Sequence, residues 1–517
     1  MAKVTHGKAA AGTGLTSKLV ITHRGALLAK YKAAGYSRIR KALEAMAAAD
    51  RQRGIVSKFA LLDSYVADAG PGTTSAYAGH VKKAIDALYK KFGKPDYLLL
   101  LGGPDVIAHQ RLRNPWAGEA DEEPVVPSDL PYACDQAYSL DAAKFLGPTR
   151  VVGRLPDIPG STDVSYLVQL IEQASRAKAL KGRKYFGLSA EVWKGASEEN
   201  LRQAFGISNP LLYCSPSLGP TWAKTYLNRP LHLINCHGNP EYWIFSGQPG
   251  SGEDDYPPAI DTDALKGRVM KDAVIAAECC YGAELYEPQG TLVPKGMALT
   301  YLEEGAMGFL GSSTIAYGGL KAGDVSCADV VCSAFLNKLM AGATTGRALL
   351  EARQALVSGA MTLDNYQLKT LAQFMLLGDP AYRAFPAKAG PTAKTKTPAN
   401  HAAHRRTLAK AGGILRRSAA AATKRVATNV SGRTALAGSA TPGQGGSRML
   451  VFEVPGSKSK PEAILVVLKD GYPNLKGARS GKRTQLRVPE KPVKSRVAVV
   501  ARVVDGRVVS AKTITTR

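Results

Sequence analysis

Residues 80–107, HVKKAIDALYKKFGKPDYLLLLGGPDVI, decide the fold. Val81, Ile85, Leu88 and Tyr89 recur at helical spacing, so the first half reads as an amphipathic helix. Tyr97 to Leu101 then run apolar without a break and stop at Gly102-Gly103. A strand without polar alternation is covered on both faces, which implies a parallel sheet between layers of helices. The same unit recurs in both directions. Upstream, residues 17–35 (SKLVITHRGALLAKYKAAG) are a strand running into a helix. Downstream, 164–180 reads as a helix, and 184–190, 231–238, 273–280 and 306–319 read as strands. Residues 328–342 and 344–359 are helices closed by glycine. The expected architecture is α/β: a doubly wound, mostly parallel sheet with helices on both faces, in two side-by-side subdomains, 17–160 and 161–387.

The rest of the chain is a different material. Hydrophobic content of 45% and charged content of 21% are ordinary for a folded protein, but the net charge of +26 is not. From Lys388 onward there are 27 Lys and Arg against 5 Asp and Glu, so +22 of that charge sits in the tail. Residues 388–448 carry 12 basic and no acidic residues in an Ala/Lys/Arg-rich stretch that cannot bury a core. This linker either attracts an acidic or nucleic-acid partner or serves as a solvated tether; no aromatic residues interleave it to stack on bases. Residues 449–517 read as a small β-sandwich-like module, with strands at 448–456, 462–471, 484–490 and 495–514. Asp505-Gly506 between alternating valines is a hairpin signal. Residues 1–16 read as a flexible N-terminus with no apolar signal core, and no run approaches the ~20 apolar residues of a membrane span. The expected setting is cytoplasmic, without membrane association.

Seven cysteines form no disulfide framework and no pair has zinc-ligand spacing. Of eight histidines, only His237 ends an apolar strand and precedes a glycine, in LHLINCHG, 231–238. A second strand, AVIAAECC, 273–280, ends in adjacent thiols. Open parallel sheets place their sites beyond the carboxyl ends of strands, so both ends should share one rim. That supplies a nucleophile, a base and backbone amides for a developing oxyanion. Gly238 has no side chain to crowd a substrate carbonyl, so its N–H can donate. Strand alternation lets only one of Cys279 and Cys280 face His237. The competing reading is that both are packed apolar groups, as free cysteines commonly are. No serine-hydrolase elbow, phosphate loop or zinc-protease motif occurs.

Four apolar residues followed by His-Gly, and later four followed by Glu278-Cys279-Cys280-Tyr281-Gly282, resemble the caspase-like cysteine peptidases. PDYLLLLGGPDVIA (95–108), VVGRLPDIPGSTDVSYLVQLIEQA (151–174), GAMGFLGSSTIAYGG (305–319) and FMLLGDPAYRAF (374–385) resemble, in order, segments of the gingipain family. The resemblance spans roughly 17–386 and implies a caspase-like fold and cysteine endopeptidase activity on protein or peptide substrates. Its spacing assigns the nucleophile to Cys280, with His237 as partner and the amides of Gly238 and Cys280 as oxyanion donors. YFGLSAEVWKG, 185–195, is similar to the strand whose acid orients the imidazole, which implies Glu191 as a third member.

The resemblance also implies a pocket for a basic residue before the cut bond, with Glu198, Glu199 and Tyr317 in its neighbourhood. Against this, Ser197-Glu198-Glu199 suits a helix N-terminus and Tyr317 suits a core. No cofactor is expected. Gly252, Glu253, Asp254 and Asp255, between His237 and Cys280, form either a solvated acidic loop, a cleavage loop or a calcium site. The alternative to an enzyme is a catalytically silent scaffold of this fold whose basic tail does the binding.

Overall fold

The computed structural model describes residues 15–65, 75–115, 121, 123–215, 219–359 and 363–386, and the strands 447–454, 462–470, 496–504 and 507–516. The basic linker expected over 388–448 therefore lies outside the described residues up to 446, as does the strand expected at 484–490.

The first half contributes β1 (Thr16–Thr22), β2 (Ile55–Leu61), β3 (Tyr97–Leu101), β4 (Gln110–Arg113), β5 (Val125–Ser128) and β6 (Val152–Leu155). The second contributes β7 (Tyr185–Ala190), β8 (Leu212–Cys214), β9 (Leu231–Asn235), β10 (Ile244–Ser246) and β11 (Pro258–Asp261). It continues with β12 (Val274–Ala277), β13 (Gly308–Ser312), β14 (Tyr317–Gly319) and β15 (Phe374–Gly378). Strands β16 (Ser447–Val454), β17 (Glu462–Asp470), β18 (Arg496–Val504) and β19 (Arg507–Thr516) close the chain. The helices are α1 (Arg24–Gln52), α2 (Ser75–Lys91), α3 (Ser165–Arg176), α4 (Lys194–Phe205) and α5 (Lys224–Leu227). They continue with α6 (Thr262–Leu265), α7 (Met297–Glu303), α8 (Ala328–Met340), α9 (Thr345–Ser358) and α10 (Asn365–Gln373).

Ten strands form one sheet in the order β2-β1-β3-β6-β15-β13-β12-β9-β7-β8. Every neighbouring pair is parallel except β13 with β15. Strands β3, β9, β12, β13 and β15 are buried at every residue, because helices cover both faces. The strands from residues 17–160 lie together on one side, and those from 161–387 on the other. They meet where Leu377 of β15 pairs with Arg154 of β6. No helix among the described residues is long and apolar enough to cross a membrane.

A buried ion cluster fastens the halves. Lys18 Nζ of β1 lies 2.5 Å from Asp50 of α1 and 2.7 Å from Asp379, one residue beyond β15. Desolvation disfavours the Lys18 ammonium, but Asp379 and Asp50 outweigh it and raise its pKa. Lys18→Ala would leave two carboxylates facing each other without water. Removing one partner of a buried pair costs ~3–5 kcal/mol, so the urea midpoint should fall by that equivalent. A change under ~1 kcal/mol would show that the cluster is solvated.

One expectation changes. The expected strand 306–319 is two strands: β13 stays in the main sheet, and β14 leaves it to pair antiparallel with β19. Between them the Ser312 hydroxyl donates to the Thr314 carbonyl at 2.6 Å. In the closing module the described residues form one antiparallel meander, β16 to β19, with β14 at its edge. Strands β18 and β19 pair from Val504↔Arg507 outward, on either side of the expected hairpin turn, whose residues 505 and 506 lie outside the described residues.

Candidate active site

Strands β9 and β12 are parallel neighbours, with Ala276↔Leu233 and Ala277↔Ile234 in register. Beyond the last pair both chains leave the ladder: His237 pairs with Ser246, and the Gly282 N–H donates to the Cys279 carbonyl at 3.2 Å in a turn. The backbones touch there: a methyl group at Gly238 would lie 1.9 Å from the Cys280 carbonyl oxygen. Only glycine permits that approach. Among the described residues the Gly238 N–H takes no part in the backbone hydrogen bonding of the fold.

The two thiols face different surroundings. Cys279 Sγ lies 3.8 Å from the Ile234 carbonyl, inside the sheet. Cys280 Sγ accepts the Ala316 N–H at 3.2 Å and lies 3.6 Å from the Ala316 carbonyl. Cys280 is fully buried in this arrangement. Tyr281, the next residue, has φ 55, a left-handed conformation costly for a side chain of this size. Its hydroxyl donates to Glu123, and its N–H to the Thr314 carbonyl at 2.9 Å.

The loop after His237 folds back on it. His237 and Ser246 exchange backbone hydrogen bonds of 2.9 Å, and β10 then pairs with β11. This return brings Gln248 Oε1 to 2.9 Å from His237 Nε2. The amide nitrogen of Gln248 donates to the carbonyls of Gly252, at 3.4 Å, and Glu253, at 3.1 Å. Its oxygen therefore faces the ring, and Nε2 must carry the proton. That tautomer makes Nδ1 the basic nitrogen. Trp193 packs against the imidazole at 4.4 Å and Tyr256 meets it at a near-perpendicular angle at 4.8 Å.

Glu278, two residues before Cys280, is held inside. Asn200 Nδ2 of α4 donates to Glu278 at 2.9 Å and to Asp329 of α8 at 3.0 Å. Asp329 in turn accepts the amides of Gly319, at 2.5 Å, and Ser326, at 3.0 Å.

The other residues singled out from sequence fall elsewhere. Glu191 accepts the Gly250 amide at 2.9 Å, beside the loop that carries Gln248, and the hydrogen bond to His237 Nε2 comes from Gln248. Glu199 and Glu198 lie along α4 and pair with Arg202, so their charge is answered on their own helix. Tyr317 is buried next to Ala316, donates to Asp121 at 2.9 Å and stacks edge-on with Tyr366 at 4.7 Å. Glu253, Asp254 and Asp255 are exposed, and no metal-binding cluster of three or more His, Cys, Asp or Glu occurs among the described residues. Gln248, Trp193 and Ala316 carried no signal, because nothing in their spacing reports a loop that doubles back.

Glu284 is a further titratable group at this rim, accepting the Glu241 amide at 2.7 Å. Burial raises its carboxyl from 4.5 to about 8; the Glu241 amide opposes the rise, and the charges of Glu241 and Glu123 add to it. The folded chain therefore binds this proton more tightly than the unfolded chain. Its contribution to stability is full below the ordinary carboxyl pKa and is lost as pH rises toward 8. Glu284→Gln, which stays neutral, should gain urea stability over wild type at pH 8 but not at pH 4. Parallel pH profiles for the two proteins would rule this out.

A thiol and an imidazole at adjacent strand ends of a parallel α/β sheet, with a side-chain-free amide between them, define a cysteine-type hydrolase. The profile of peptidase family C25 matches residues 16–385, and the chain belongs to that family of cysteine peptidases. A solved structure described as "Structure of Protease" is 17% identical, covering 73% of this chain and 80% of that chain with a TM-score of 0.44. No curated protein matches.

Proposed function

We propose that the chain is an endopeptidase in which Cys280 is the nucleophile and His237 its acid–base partner. His237 Nδ1 takes the thiol proton. The thiolate attacks the peptide carbonyl, forming an S–C bond, while the amides of Gly238 and Cys280 hold the oxyanion. The imidazolium returns its proton to the leaving nitrogen as the C–N bond breaks. Water, deprotonated by the imidazole, then cleaves the thioester and restores the thiol. Gln248 keeps the ring in the tautomer this requires. Glu191 acts at one remove, by holding the Gly250 end of the Gln248 loop.

The observation that carries this reading is the contact between Gly238 and the Cys280 backbone at the ends of β9 and β12. A basic preference at the cleaved position rests on the resemblance to gingipains; Glu198 and Glu199, engaged with Arg202, do not support it. Profiling cleavage of a peptide library by wild type and His237→Ala tests both points. Cuts lost in the variant support the mechanism, and clustering after Arg or Lys supports the preference. Identical profiles for the two proteins would remove His237 from the reaction, and cuts without such clustering would remove the basic pocket.

A further inference from the structure

Strand β14 is three residues long, stands outside the ten-stranded sheet and pairs with β19: Tyr317↔Thr516, Gly318↔Thr515 and Gly319↔Ile514. Both ends of β14 are fixed relative to the nucleophile. Ala316, just before it, donates to Cys280 Sγ at 3.2 Å, and Gly319 donates to Asp329 at 2.5 Å. Asp329 is tied through Asn200 to Glu278, on the same segment as Cys280. A strand anchored this way presents backbone donors and acceptors at a set distance from the thiol. That is what an extended peptide needs in order to lay a carbonyl against sulfur, since strand addition supplies affinity through main-chain hydrogen bonds.

β19 already lies on that edge. Its direction is informative: it runs from Ile514, opposite Gly319, to Thr516, opposite Tyr317, and so advances toward Ala316 and Cys280. The acyl half of a peptide substrate must approach in the same sense, with its carboxyl side nearest the nucleophile. Ile514, Thr515, Tyr317 and Cys280 are all buried.

From these contacts we infer that β19 is a built-in occupant of the substrate edge: it pairs with β14 as an extended peptide would, and the enzyme is closed until the strand is displaced. The inference rests on the peptidase reading above and adds to it both where the acyl side of the substrate docks and what holds that place.

Two measurements on the full chain test it. In the first, wild type is treated with an irreversible peptidyl thiol probe and followed by hydrogen exchange. The probe must displace β19, so amides 512–516 should exchange at least ~10-fold faster while those of β16 and β17 do not change. In the second, Ile514→Pro/Thr515→Pro, which removes one β19 N–H facing β14 and one facing β18, is alkylated with iodoacetamide. Cys280 should react at least ~10-fold faster than in wild type, as expected when a covering strand leaves. Adding a synthetic peptide of residues 507–516 should restore protection. Unchanged exchange at 512–516 under a bound probe overturns the inference even if the proline variant fails to fold. Equal hydrolysis and alkylation by wild type and variant overturn it while leaving the peptidase reading intact. Faster alkylation of a variant that cuts no library peptide would keep the covering strand and remove the peptidase.

Discussion

Cys280→Ala is expected to lose peptide hydrolysis by ~10⁴–10⁶-fold, as removal of a nucleophile that acts as a unit with its base does, while Cys279→Ala keeps activity within ~10-fold of wild type. The asymmetry follows from the surroundings of the two sulfurs. Cys280 Sγ is the sulfur that takes the Ala316 amide at the rim, whereas Cys279 Sγ points to the Ile234 carbonyl within the sheet. Cys279→Ala should show itself as a modest loss of stability, since it deletes a buried sulfur from a packed interior. Both variants should be assayed alongside wild type by hydrolysis and by labelling with a thiol-directed peptide probe. Labelling that survives in Cys280→Ala and disappears in Cys279→Ala would reverse the assignment. Labelling that survives in both would place the reactive thiol elsewhere.

The second large effect is expected from one methyl group. Gly238→Ala puts a Cβ 1.9 Å from the Cys280 carbonyl oxygen and 3.0 Å from its carbon. No rotamer relieves a backbone clash, so the end of β9 must move away from the end of β12. A displacement of ~1 Å at reacting groups costs ~10² in rate. In the proposed mechanism the same shift moves the Gly238 N–H away from the oxyanion, where one donor is worth another ~10²–10³. The expected result is a fall in kcat of ~10³ or more, with a far smaller change in melting temperature than in rate. A variant with wild-type kcat would show that the Gly238 backbone does not set the spacing of the dyad.

The two strand ends that carry the candidate site were legible in the sequence. His237 and Cys280 stand out because each ends a run of apolar residues, and a buried parallel strand leaves that signature wherever it lies in the chain. Glu191 was reached through a segment resemblance, which finds the neighbourhood but not the hydrogen bond. The imidazole is met by Gln248, delivered by a loop whose return depends on the His237–Ser246 pairing and on β10 joining β11. Glu198 and Glu199 read from sequence either as pocket acids or as a helix N-terminus, and they pair with Arg202 one turn along α4.

The pairing of β14 with β19 is the clearest limit. Nearly two hundred residues separate Tyr317 from Thr516, and each strand is unremarkable alone. Periodicity and composition determined the parallel α/β architecture, the basic character of the tail and the two strand ends where chemistry could occur, because those are local properties of burial and charge. Which groups touch the imidazole, which sulfur meets an amide, and which strand pairs with β14 were decided by tertiary structure alone, because hydrogen bonds between distant backbones leave no pattern in either partner's sequence.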